Sequence, residues 1–151
     1  QLAGTTTGAR FSSQIASVTS LPAFISTPVQ PRLTPVRQLR INNADLTVDQ
    51  MGVGLTPTIT WLAPSLGVPT RYQVRVDRLA NVSGETRVAA TVVITTTATN
   101  LTLPPGMMVN GQTYVFTVSA LEVANPTADG VFVSTGLPYH TAVAISGLVT
   151  P

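Results

Sequence analysis

The sequence predicts an all-β fold of two packed antiparallel sheets, preceded by an extended arm. Three observations carry this prediction. Short segments alternate apolar and polar side chains with a period of two, as strands with one buried face do. Turn signals such as Asn42-Asn43 and the stretch from Asn81 to Glu85 separate them. Thr and Val are abundant, a β-type composition, and no segment reads convincingly as a helix.

Residues 1–33 form the arm. They are rich in Ser, Thr and Pro, with single apolar residues at Phe11, Ile15, Val18, Leu21, Phe24 and Ile25. Phe11, Ile15 and Val18 stand at helical spacing, but the Ser/Thr and β-branched content disfavours a stable helix. Pro22, Pro28, Pro31 and Pro35 favour an extended path. Two readings remain open, a flexible linker and an arm that docks on an edge strand.

The packed unit is expected over residues 34–151. VRQLRI (36–41) is a strand closed by the Asn42-Asn43 turn. TPTITW (56–61) places Ile59 and Trp61 on one face, and a Pro/Gly loop follows over 63–70. RYQVRVDRL (71–79) turns Tyr72, Val74 and Val76 one way and Arg71, Gln73, Arg75 and Asp77 the other. TRVAATVVITTT (86–97) is expected to put Val88, Ala90, Val92 and Ile94 on one face. TNLTL (99–103) presents Leu101 and Leu103 together. TYVFTVSAL (113–121) alternates Tyr114, Phe116, Val118 and Ala120 against Val115, Thr117, Ser119 and Leu121. After a loop at 124–130, VFVST and YHTAVAI supply the last strand material. About seven strands with one apolar face each suit an immunoglobulin-like sandwich, and a small barrel is the competing architecture.

Composition excludes several function classes. Of 151 residues, 9% are charged, far below the usual quarter, while 44% are apolar, which is not a disordered polar chain. The absence of Cys removes disulfides, thiolate metal sites and Cys nucleophiles. The eight basic residues are all Arg, scattered along the chain, and the net charge is only +2. Nucleic-acid binding needs a clustered basic footprint, so no nucleic-acid partner is expected. No apolar run reaches the ~18 residues of a membrane span. The start at Gln1 suits a processed product or an excised piece.

Several of these residues stand in an order that resembles a fibronectin type III domain. Trp61-Leu62-Ala63-Pro64 is similar to that family's second strand, with its inward Trp, and Tyr72-Gln73-Val74 to its third. Leu101 and Leu103, Pro105-Gly106, Tyr114, Phe116, Val118 and Ala120 continue the pattern. The likeness covers roughly residues 34–148 and looks closest to the variant found in bacterial exported proteins. It implies a structural role for Trp61, Tyr72, Leu103, Tyr114 and Phe116, and an extracellular or cell-envelope location. Gly106 and Tyr114 stand farther apart than in the family, with the second turn Asn110-Gly111 between them. The family's integrin-binding Arg-Gly-Asp is absent. The Tyr is expected to bury its ring and bond a backbone group a few residues upstream.

Candidate chemistry is sparse. His140 is the only histidine, no Gly-x-Ser-x-Gly is present, and a place at an edge or in solvent is expected for it. Asp45 and Asp49 share a loop, but a calcium loop normally offers more acids. No catalytic residue, cofactor or metal is expected. The sequons at Asn81 and Asn100 are expected to be bare. The polar stripe Arg71, Gln73, Arg75, with Val115 and Thr117 beside it, is the candidate partner surface, and Tyr139 and His140 are a second one.

These features suggest a non-catalytic module of an exported bacterial protein that acts as a spacer or as a contact surface for protein or an envelope polymer. Two alternatives stand beside it. A carbohydrate-binding module would need exposed aromatics, and only Phe11, Phe24, Phe132 and Tyr139 are free of core roles. An assembly subunit would self-associate by lending its arm to a neighbour's sheet edge.

Overall fold

The computed structural model describes residues 14–19, 30–124 and 136–151. Among these residues the chain is all-β, with eleven strands in two sheets and no helix. The seven expected strands are β2 (Arg37–Ile41), β5 (Thr58–Leu62), β6 (Arg71–Val82), β7 (Glu85–Thr96), β8 (Asn100–Thr102), β9 (Thr113–Ala124) and β10 (Gly136–Ile145). Four short ones raise the expected seven to eleven: β1 (Ile15–Val18), β3 (Ala44–Asp45), β4 (Gln50–Met51) and β11 (Val149–Thr150). These four are two to four residues long and carry no visible alternation; β8 is as short, but Leu101 and Leu103 mark it in the sequence. The expected VFVST strand and the 124–130 loop lie mostly outside the described residues.

One sheet has the order β3-β2-β5-β8. The other runs β7-β6-β9-β10-β1, with β11 pairing β9 at Tyr114 and β4 lying parallel to β11. Two-residue turns with positive φ close two hairpins. Asn42 and Asn43 (φ 47 and 71) join β2 to β3, and Ser83-Gly84 (54 and 84) joins β6 to β7. Both central residues positive is the type I′ pattern, which matches the right-handed strand twist.

A single core fills the space between the sheets. Leu39, Ile41, Ile59 and Trp61 face Tyr72, Val74, Phe116, Val118 and Ala142. The Trp61 and Tyr72 rings meet edge to face, centroids 5.4 Å apart. Leu103 and Tyr114 are buried with them, so all five residues given a structural role lie in this core. Leu33 is also in it, fully buried, so the packed unit reaches into the segment assigned to the arm.

The stretch before β9 makes a corner. Met108 is buried, and Gly111 with φ 72 turns the chain between Val109 and Gln112, whose N–H donates to the Val109 carbonyl. Tyr114 enters facing inward, and its hydroxyl accepts a hydrogen bond from the Val109 N–H at 2.8 Å.

One expectation about faces changes. Opposite Arg78 and Leu79, β7 carries an extra residue, Ala89. This bulge shifts the alternation, so Val88 turns to the outer face while Ile94 packs on the core. The arm does dock: β1 pairs antiparallel with β10, with Ser17 opposite His140. The Val143 N–H bonds the Gln14 carbonyl at 3.0 Å, so ladder alternation makes Ala16–Thr141 the next hydrogen-bonded pair.

Candidate functional site

The outer face of the larger sheet carries the site. Strand pairing sets Gln73 beside Ser119 and Arg75 beside Thr117. Ser119 in turn lies beside Val143, and Thr117 beside Ile145. Val88 and Val93 of β7 form the opposite wall. Together they line a groove of about 390 Å³, with Gln14 at its rim and Asp77 at one end.

The floor offers an amide and two hydroxyls, which both donate and accept, and the walls are β-branched. Arg75 supplies the charge. Its Nε donates to Asp77 Oδ1 at 2.9 Å, and its side chain is still 50% exposed. Asp77 also accepts from the Thr91 hydroxyl at 2.6 Å. The pair holds the guanidinium in place and leaves its other nitrogens toward solvent.

The expected stripe is therefore only half a surface. Gln73, Arg75 and Thr117 belong to the groove. Arg71 is 7% exposed and lies outside the groove, and Asp77, 2% exposed, reaches the groove only through the pair with Arg75. Arg71 lies in one row with Leu121 on β9 and Thr141 on β10 beyond it. Its Nε and Nη2 find no hydrogen-bond partner among the described residues. Val115 is 1% exposed, which removes it from the surface as well.

The second expected patch divides. Tyr139 is half-buried on the outer face, opposite Val123, about 13 Å along β9 from Ser119. His140 points to the inner side and is 5% exposed, not at an edge or in solvent. The docked β1 is the reason, since it covers the edge that β10 would otherwise present. Its Nδ1 bonds the Ser17 hydroxyl at 2.6 Å.

Ser17, His140 and Glu122 stand in register across three strands, in the order of a nucleophile, base and acid. No hydrogen bond joins Glu122 to the imidazole among the described residues, and the histidine is closed off from solvent. The Ser–His bond ties β1 to the sheet. No group of three His, Asp or Glu side chains able to hold a metal occurs among the described residues. Asp45 is occupied by the Thr47 N–H and hydroxyl, whose bonds hold its carboxyl below the usual carboxylate range, with Arg40 adding to the effect. Asp49 accepts the Leu148 N–H at 2.7 Å.

Sequence reasoning missed the walls of the groove, Val88, Val93, Val143 and Ile145. One signal was available, because the YHTAVAI segment is apolar at consecutive positions rather than alternate ones. A strand apolar on both faces has something to cover on both.

No protein family, curated protein or solved structure matches this chain. No helix among the described residues is long and apolar enough to cross a membrane.

Proposed function

We propose that the chain is a non-catalytic, fibronectin type III-like interaction module of an exported bacterial protein. Its groove on the outer face of the larger sheet takes an extended segment of a protein partner. The observation that carries this reading is the groove's lining. Ser119 and Thr117 offer hydroxyls along β9, with the Gln73 amide beside Ser119, between Val and Ile walls. That pattern fits a strand-like chain presenting amides and alternate apolar side chains.

Strand grouping supports the finer fold. Counting the seven expected strands in chain order, the first, second and fifth share one sheet and the third, sixth and seventh the other. An immunoglobulin-like sandwich groups them so. The fourth, β7, lies beside the third. The Tyr114 hydroxyl bond supports the same reading.

The carbohydrate alternative has less support. Among the described residues only Tyr139 keeps part of an aromatic ring toward solvent, and no aromatic lines the groove. Assembly through the arm keeps one supporting observation. The β1–β10 ladder is the geometry that the same arm would make on a neighbour's sheet.

A peptide library panned against the full chain tests the proposal. Binders are expected to lose about tenfold in affinity, ~1.4 kcal/mol, when Thr117→Trp fills the groove. Binders indifferent to that substitution would overturn the reading. A glycan array with specific hits would favour the carbohydrate alternative.

A further inference from the structure

The sheets manage their edges unequally. The outermost strands β1, β3, β4 and β8 are two to four residues long. Very short edge strands are a common protection against unwanted pairing. The remaining edge, β7, has twelve residues and, among the described residues, pairs only with β6.

The far end of β7 lacks the other protections too. Its only charges, Glu85 and Arg87, sit at the hairpin tip and bond each other at 2.8 Å. The Ala89 bulge separates them from the straight run Ala90–Thr96, in unbroken register with β6. That run, ATVVITT, holds no charge, no Pro and no Gly, and all but Ala90 is β-branched. It spans about 23 Å of backbone with no outer partner among the described residues. Val93 at its centre is 52% exposed.

We propose that this edge pairs antiparallel with the same edge of a second copy of the chain, about a two-fold axis at Val93. The run is self-complementary in that register. Val93 meets Val93, Val92 meets Ile94, Thr91 meets Thr95 and Ala90 meets Thr96. Every pair joins residues suited to cross-strand contact, and no like charges oppose each other. An interface that repeats the same patch on both subunits needs this property. The two-fold stands perpendicular to the sheet, so both outer-face grooves open on one side of the dimer.

Sedimentation velocity of the full chain, from about 1 µM to about 1 mM, tests the proposal. A monomer–dimer equilibrium is expected. Val93→Lys, and separately Thr95→Lys, each set charge against the paired edge and are expected to weaken the dimer at least tenfold. Thermal melts of both variants show whether the fold is retained. Ala16→Pro, which breaks the β1–β10 ladder instead, is expected to leave the dimer intact. A chain monomeric throughout would overturn the proposal. So would a dimer that survives both Lys substitutions, or one lost in Ala16→Pro while the Lys variants keep it.

Discussion

Replacing Tyr114 with Phe deletes one oxygen and leaves the ring in the core. The oxygen lost is the acceptor of the Val109 N–H, at 2.8 Å. Removing one partner of a buried bond costs about 1–3 kcal/mol, because the orphaned group keeps its desolvation. Val109 itself is 49% exposed, so water reaches its backbone more easily than a group in the core. The lower end of the range applies, about 1 kcal/mol. For a chain of this size that lowers Tm by about 2–4 °C. Tyr114→Ala is a second reference point. It also removes a ring that is 2% exposed, and such truncations cost about 3–5 kcal/mol. Guanidinium unfolding of the three proteins, followed by Trp61 fluorescence, measures both differences. A Phe variant as stable as the parent would refute the corner as an energetic feature. A Phe variant as unstable as the Ala variant would show that the hydroxyl does more than cap one N–H.

Gly147→Ala is expected to destabilise by about 2–3 kcal/mol in the same assay, because a Cβ there would stand 2.4 Å from the Val48 carbonyl carbon, in backbone that cannot step aside. Ser17→Ala is expected to cost about 1 kcal/mol and to speed hydrogen exchange of the Val143 N–H, which the docked β1 protects. Thr47→Ala is expected to raise the Asp45 pKa toward its ordinary value, read by NMR titration of the carboxyl. The sign follows from linkage: a carboxyl depressed in the folded state adds stability above its unfolded pKa, and this is lost as pH falls through the folded value. Burial pushes the Tyr72 hydroxyl up from its usual value, so a spectrophotometric titration compared between the parent and Tyr72→Phe is expected to assign a late ionisation to Tyr72.

The sequence made the long strands legible because their side chains alternate over many residues. Tyr72, Val74 and Val76 alternate cleanly with polar neighbours, whereas Tyr114, Phe116 and Val118 alternate with Thr113, Thr117 and Ser119 but also with the buried Val115. Legibility failed where alternation was disturbed or absent. The bulge at Ala89 turned Val88 to the outer face, and no residue type announces a bulge in VAATVV. The short β1 has no period to read, and its docking buried His140. Arg71 and Asp77 looked like solvated stripe residues because alternation reports a face and not its cover. A central strand's outer face is also partly enclosed by its neighbours. The polar floor of the groove, Gln73 and Thr117, was visible on single strands. The apolar walls came from two strands far apart in sequence and needed the sheet order.

The contact face is tested most directly by one affinity comparison. A peptide selected on the full chain is titrated against the parent, Thr117→Trp in the groove, and Leu62→Trp on the exposed face of the smaller sheet. A loss of about tenfold is expected for Thr117→Trp alone. Equal affinities for all three proteins, or a loss confined to Leu62→Trp, would contradict it.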